Sequence, residues 1–430
     1  MDAVAETPEG TASRRGVADK VLRFDKLPVV DCEGSTPWEI GFSHGTQLQE
    51  RVAETLSFYY DMYEEHGFGR DEVRTWGEAL AGTVRRFSPD IADEVEGVAD
   101  GAGRARWELF ALQGRTELLG IALHRAGRPA PGECTSICCP ASAVVAQNWD
   151  WDPCMSALIV VLRLPRCGRR PQMLTLTEAG IVGKVGLNEH GVGTCINILF
   201  GREPATSPDA VPVHVLARAA LSCGSLEEAE AVLRGAPRHC HTHLLLADRG
   251  GRYRMVEFCG QELAIMGKEH DGAAPPPARA HTNHYLHPRF AGVDADSDLC
   301  HTRERHQRAQ EIIRAQGGGR PGEGHALALR VLGDRENQPK SILYGSALGI
   351  TPHRTLGTLC TMIFDLRGLQ MHVTKGDAMR QEYSAVGLWP PQHPPSAAAA
   401  QSAAPPRASC SSRSRVAVEA SPGAGPSIAA

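Results

Sequence analysis

The chain has 430 residues, 45 Lys and Arg against 50 Asp and Glu, a formal net charge of −5, and 42% hydrophobic residues. Its length allows one large domain or two or three smaller ones. The slight acidic excess cannot neutralise a nucleic-acid backbone, and no run approaches the ~20 consecutive apolar residues of a membrane helix. Neither nucleic acid nor membrane is therefore an expected partner. Thirteen cysteines, an odd count spread from Cys32 to Cys410, lack the dense even pattern of a disulfide scaffold, so most should be buried small hydrophobes.

Residues 1–20 are small and polar without periodicity and should be disordered. They place acidic residues ahead of Arg14-Arg15 and contain no apolar signal core, so cytoplasmic residence is expected. Residues 36–126 read as helical: Leu48, Val52, Leu56, Tyr59 and Tyr63 recur at steps of three and four, as do Trp76, Leu80, Val84 and Phe87, then Ile91, Val95, Val98 and Ala102. Prolines and glycines across Arg125–Glu133 break any helix and predict an exposed connector.

Short apolar runs of strand character follow, at Ala143–Ala146, Leu158–Leu164, Met173–Thr177, Val192–Ile198, Leu244–Ala247, Met255–Phe258, Leu359–Asp365 and Gln370–Val373. Helices interrupt them over Pro212–Leu221, from Ser225 with Glu228 three residues on, and over Thr302–Gln316. Gly272–Pro277 and Gly317–Gly324 read as surface loops, and the Ala/Pro/Ser-rich residues 391–430 as a disordered tail. A helical segment followed by a strand-rich body suggests an α+β fold with helices layered on antiparallel sheets.

Cys134 directly follows the connector and precedes strand-like residues. A thiol at such a junction is accessible enough to react, whereas a mid-strand cysteine is packed away. On these residues alone Cys134 is either a packing cysteine or a reactive thiol, and its spacing to Cys138 and Cys139 is not that of a zinc knuckle. In Gln147–Asp152, Trp149 and Trp151 share one strand face while Asn148, Asp150 and Asp152 share the other, as a half-exposed strand would. The histidines of Cys240–His243 and His281–His287 have no further ligand at metal-binding spacing, so no metal or cofactor is expected.

Several blocks occur together in order: Glu133-Cys134-Thr135-Ser136, Gln147-Asn148-Trp149-Asp150, Thr177-Glu178-Ala179-Gly180 with Gly183-Lys184-Val185-Gly186, His281-Thr282-Asn283-His284 and Arg305-His306-Gln307-Arg308. Upstream lie Ile40-Gly41-Phe42, His44-Gly45 and Arg115-Thr116-Glu117. Over roughly residues 30–380 the sequence thereby resembles the isopenicillin N acyltransferase family, self-processing N-terminal nucleophile hydrolases with a cysteine nucleophile. The resemblance implies a four-layer αββα sandwich and a precursor that cuts itself between Glu133 and Cys134. A helical α chain, residues 21–133, would stay packed on a catalytic β chain, residues 134–390. It also implies Cys134 as nucleophile, Asn283 as oxyanion donor, Asp150 orienting the α-amine, and Thr242 near a small acyl amide or acyl-CoA substrate.

Self-cleavage creates its own base: an amide nitrogen cannot take a proton, but a free α-amine titrates near 7.7–8.0, close to a thiol at ~8.5. This sequence departs from the family at Glu133, where a glycine is usual, and at Arg354-Thr355-Leu356-Gly357, where an offset Arg354 marks a candidate substrate contact. The competing expectation is a catalytically silent binding or scaffold protein of the same fold.

Overall fold

A computed structural model describes residues 27–127, 134–202, 206–272, 274–294, 301–338, 340–344, 348–351, 354–376 and 383–389. The first part is a short strand, β1 (Val29–Asp31), and six helices: α1 (Pro37–Gln47), α2 (Gln49–Glu64), α3 (Arg70–Phe87), α4 (Pro89–Ala102), α5 (Arg106–Gln113) and α6 (Arg115–Arg125). Local chemistry sets their ends. At α1, the Thr36 hydroxyl accepts from Glu39 N while the Glu39 carboxylate accepts from Thr36 N, a reciprocal cap. At α4, the Ser88 hydroxyl accepts from Ile91 N ahead of Pro89, and Gly103 ends the helix at φ 64°.

Helices α1 and α4 touch backbone to backbone, because glycines recur four residues apart on both. A Cβ on Gly41 would lie 1.9 Å from Glu94 O, and one on Gly97 would lie 2.1 Å from Trp38 O.

The body contains the strands β2 (Cys134–Cys139), β3 (Val144–Trp151), β4 (Ile159–Leu164), β5 (Met173–Glu178), β6 (Val185–Asn188), β7 (Gly193–Ile198), β8 (Cys240–Ala247), β9 (Tyr253–Gly260) and β10 (Glu262–Met266). These are followed by β11 (Arg279–His281), β12 (Leu348–Thr351), β13 (Arg354–Asp365), β14 (Gln370–Lys375) and β15 (Ser384–Gly387). One sheet runs β1-β4-β5-β6-β7-β8-β9-β10 and the other β11-β2-β3-β13-β14-β15, with β12 on β13. β1 joins β4 in parallel, so the helical segment begins inside the first sheet.

Helices α7 (Val213–Leu221) and α8 (Leu226–Gly235) cover the outer face of the first sheet, and α9 (Thr302–Ala315) and α10 (Gly324–Leu332) that of the second. The inner faces meet where β2 and β3 pack on β7, and β14 on β6. The result is the α+β, four-layer αββα arrangement expected from the resemblance. Alternation along β2 and β3 serves both faces: Cys134, Trp149 and Trp151 join the core between the sheets, while Ile137 and Ala146 pack on Ile312, Leu327 and Val331 of α9 and α10.

All eight residues of β3 are buried, so the half-exposed strand expected around Trp149 is corrected to one covered on both sides. Helix α10 and strands β1, β6, β10, β11, β12 and β15 had no counterpart in the sequence reading. Described residues through Leu388 form one compact unit. Residues 1–20, the tail from 390 and Arg128–Glu133 lie outside the described residues. Among those described, no helix is long and apolar enough to cross a membrane.

Candidate active site

Cys134 opens β2 opposite Trp149 of β3, and Cys360 of β13 lies opposite Trp149 in turn, so these three side chains share the inner face. Cys134 is only 3% exposed. The accessible junction thiol expected from the sequence is thus a covered one, because β2 lies between β11 and β3 with a layer on each face.

The backbone of Cys134 is gripped at both ends. Its N–H donates to Asn283 Oδ1 at 3.1 Å, and its carbonyl accepts from Arg305 Nη1 at 2.8 Å. The same guanidinium donates to Thr135 Oγ1 and to Asn283 Oδ1, each at 2.8 Å. A guanidinium has no acceptor, so Asn283 must present its oxygen there, and this fixes the amide's orientation. Asn283 Nδ2 then donates to Ile198 O at 2.8 Å and keeps a second hydrogen.

The loop carrying Asn283 is tied down on two sides. Asn283 N donates to Thr302 Oγ1 at 2.7 Å, and Thr282 Oγ1 donates to Thr302 O at 3.0 Å. On the other side the buried Glu257 carboxylate accepts from Leu286 N at 2.7 Å, from His287 N at 3.1 Å and from His281 Nε2 at 2.9 Å. His281 Nδ1 faces the Thr282 carbonyl at 2.9 Å, so both ring nitrogens lie against oxygens. Burial alone would raise the Glu257 carboxyl, but His281 and the two amides hold it below the usual range. His243 stacks on His281 with ring centroids 3.7 Å apart, and burial together with that neighbour drives it far below the ordinary imidazole range.

Asp150 projects from the opposite face of β3. Its Oδ1 accepts from Thr358 Oγ1 at 2.6 Å, and its Oδ2 is buried without a hydrogen-bond partner. Burial pushes this carboxyl up to about 7, against the pull of Arg305 and Thr358. Asp150 therefore sits on β3 within range of Arg305, on the face away from Trp149, while Asn283 is the side chain that takes the Cys134 N–H.

Thr242 lies opposite Ile198, one strand from the carbonyl that holds Asn283, and its hydroxyl donates to Asn197 O at 3.1 Å. The backbone of Arg354 begins β13 opposite Thr351; its side chain and the whole of Glu133 lie outside the described residues.

Sequence reasoning quoted Arg305, Lys184 and Glu178 only as parts of motifs and gave them no role. A signal for Arg305 was present: it falls in line with Ala309, Ile312 and Ile313 on the buried stripe of α9. Among the described residues no group of three His, Cys, Asp or Glu side chains is placed to hold a metal ion.

The family model described as acyl-coenzyme A:6-aminopenicillanic acid acyl-transferase matches residues 139–379, more than half of the chain. The chain belongs to this acyltransferase family. The matched span begins downstream of Cys134 and includes Asp150, Lys184, Asn283 and Arg305. A relative, the 40 kDa form of acyl-coenzyme A:6-aminopenicillanic-acid-acyltransferase from Emericella nidulans, is 28% identical over 355 residues, 81% of this chain and 92% of its own. Penicillin V acylase from Agrobacterium tumefaciens aligns with a TM-score of 0.39 and 16% identity, over 56% of this chain and 82% of that one. A conjugated bile acid hydrolase from Clostridium perfringens aligns with a TM-score of 0.40 and 11% identity, over 59% and 92%.

Proposed function

We propose that this acyltransferase-family chain is a cysteine N-terminal nucleophile enzyme that frees its own nucleophile, then hydrolyses or transfers the acyl group of small N-acyl amides or acyl thioesters. The observation that carries the reading is the double grip on Cys134, with Asn283 Oδ1 on its nitrogen and Arg305 on its carbonyl. Such a grip would keep the residue in register after the peptide bond before it is cut.

In the first reaction Cys134 Sγ attacks the Glu133 carbonyl, the acyl group moves from nitrogen to sulfur, and water releases the upstream carboxylate. The freed α-amine remains against Asn283 Oδ1 and accepts the thiol proton. The sulfur then attacks a substrate carbonyl, and the second hydrogen on Asn283 Nδ2 is the donor nearest the developing oxyanion. Collapse of the tetrahedral intermediate expels the amine or thiolate, protonated from the α-ammonium, and leaves a thioester on Cys134. Water completes hydrolysis; an amine acceptor completes transfer. The relative's name pairs an acyl-CoA donor with an amine acceptor, which makes acyl thioesters the first donors to try.

The test is intact mass and N-terminal sequencing of the purified chain. Wild type should yield two pieces divided before Cys134, C134A a single chain, and turnover an acyl adduct on Cys134. An undivided, active wild-type chain would remove this mechanism, and an undivided chain without any adduct would leave the silent scaffold.

A further inference from the structure

Strand β13 carries an irregularity near the nucleophile strand that the acyl-transfer steps above leave unused. On β13, Thr358 lies opposite Asp150 of β3 and Cys360 lies opposite Trp149, so Leu359 is an extra residue between two consecutive partners. Side chains alternate along a regular strand, which would put Thr358 and Cys360 on one face, whereas the consecutive Trp149 and Asp150 face opposite ways. The bulge at Leu359 removes the mismatch: Cys360 stays on the inner face with Trp149 and Cys134, while Thr358 turns to the face of Asp150. Gly376 N donates to Leu359 O at 2.6 Å and pins the bulge to the residue that follows β14.

The Thr358 hydroxyl is committed on both sides. It accepts from Tyr344 N at 3.1 Å and donates to Asp150 Oδ1 at 2.6 Å, the length of a hydroxyl donating to an ionised carboxylate. A hydroxyl has a single hydrogen, and the amide on its lone pair leaves that hydrogen for the carboxylate. The segment that carries Tyr344 is itself held over β3. Asn148 donates through Nδ2 to Leu332 O at 2.8 Å and to Ile342 O at 3.4 Å, and its Oδ1 accepts from Thr361 Oγ1 at 2.7 Å. The strand that bears Asp150 therefore also anchors the segment that aims Thr358. Asp150 stands one step past the Cys134–Trp149 pair, in the direction of the Cys134 nitrogen, and its Oδ2 is buried without a hydrogen-bond partner among the described residues.

We propose that Thr358 is the positioning residue for Asp150: the bulge turns its hydroxyl onto Oδ1, the Tyr344 amide commits the hydroxyl hydrogen to that oxygen, and Oδ2 is left as the oxygen the carboxylate offers to the α-ammonium of cleaved Cys134. The inference rests on Asp150 acting in its ionised form on that amine, as its motif implies. Thr358 fixes the carboxylate by one oxygen and stabilises its charged form, which burial opposes. The titratable groups around Asp150 leave its charge to this balance. Arg305 of α9 stays protonated and pulls the carboxyl down, and Cys360 of β13, driven well above the usual thiol range by burial, is neutral.

Thermal melts of C134A, C134A/T358V and C134A/T358S across pH read the Asp150 ionisation without the nucleophile, cleavage or turnover. A hydrogen bond to a charged group moves an ionisation by about one unit, so T358V should carry the decline of Tm about one unit higher in pH, and T358S, which keeps the hydroxyl, should return it. T358A should give the same shift where valine is not accommodated. In the cleaved chains, iodoacetamide labelling of Cys134, read at that residue by peptide mass spectrometry, reports the ammonium–thiolate pair. With the Asp150 carboxyl at about 7, T358V should label about fivefold slower than wild type at about pH 7 and at the wild-type rate at about pH 9, while T358S follows wild type at both. A Tm curve displaced in parallel, or a labelling loss equal at both pH values, would reduce Thr358 to packing and overturn the proposal. D150N separates the two levels: wild-type labelling in D150N would remove Asp150 from the reaction, whereas slow labelling in D150N beside wild-type behaviour in T358V would remove Thr358 alone.

Discussion

Asn283 uses its two ends differently, oxygen toward Cys134 N and Arg305, nitrogen toward Ile198 O. N283D keeps the acceptor but replaces the donor with a second oxygen facing a carbonyl. Its kcat should fall by ~10²–10³, the usual loss for one oxyanion donor, with the fold retained by circular dichroism; wild-type kcat would reduce Asn283 to an anchor. R305K keeps the charge, yet an ammonium cannot reproduce a planar fork that reaches Cys134 O, Thr135 Oγ1 and Asn283 Oδ1 together. Time courses of self-cleavage should slow markedly in R305K, and cleavage at the wild-type rate would refute a positioning role. Asp150 gives a pH prediction with a definite sign. Its carboxyl is raised from 3.8 to about 7, so the stability it contributes is full below the unfolded value and is lost as pH rises through the folded one. That gap of about three units corresponds to about 4 kcal/mol across the window. In a C134A chain, which the proposed mechanism leaves uncut, adding D150N should therefore flatten the decline of Tm between about pH 4 and about pH 8, and parallel curves would contradict it.

Among the elements, the contact between α1 and α4 depends on glycine, whereas the middle of α6 does not. G41A would drive a methyl into Glu94 O and should cost about 3 kcal/mol in denaturant unfolding, while G120A, with nothing within 4 Å of its added Cβ, should gain about 0.5–1 kcal/mol by stiffening the helix. Equal effects of the two would mean that the close crossing is not the cause. The strand segment β11 and the loop after it test the clamp on Asn283. Glu257 sits below its ordinary 4.5 because His281 and two backbone amides outweigh burial, so its contribution is present above that value and lost as pH falls. E257Q should lower Tm at neutral pH and remove the drop between about pH 5 and about pH 3.

These elements also explain what the sequence could disclose. The heptad-like apolar steps in α2, α3 and α4 were legible because burial follows period there, whereas the alternation in β3 pointed to a half-exposed strand although both of its faces are covered. Cys134, Asp150 and Asn283 were legible only as motifs. Arg305 and Lys184 were hidden because a charge on an apolar stripe or in a glycine turn reads as solvated, and only tertiary packing reveals its partners. Helix α10 was hidden because it starts at the last glycine of a loop-like run, Gly317–Gly324.

At the scale of the whole molecule, the bonds between the helical segment and the sandwich are mostly buried and polar. Glu94 of α4 accepts from Arg170 Nη1 and Arg218 Nη2, each at 2.8 Å, and is 1% exposed. Gln113 donates to Gly180 O at 3.0 Å and accepts from Val182 N at 3.1 Å, while neutral His44, which burial pushes down to about 4, accepts from Gly180 N at 3.1 Å. Arg115 and Tyr59 reach across to Glu178. All of these bonds join residues before the connector to residues after Cys134, so a cut between them would remove no contact that holds the two parts. The divided protein should co-elute in gel filtration even at about 1 M salt, where screening falls off within about 3 Å and reaches buried pairs least. It should also melt in a single transition. E94A leaves Arg170 and Arg218 without their shared carboxylate and should cost about 3–5 kcal/mol, the range for breaking a buried ion pair from one side. If the pieces of wild type separate in salt, or E94A melts with wild type, the junction is held by its apolar surface and the buried charges serve the active site alone.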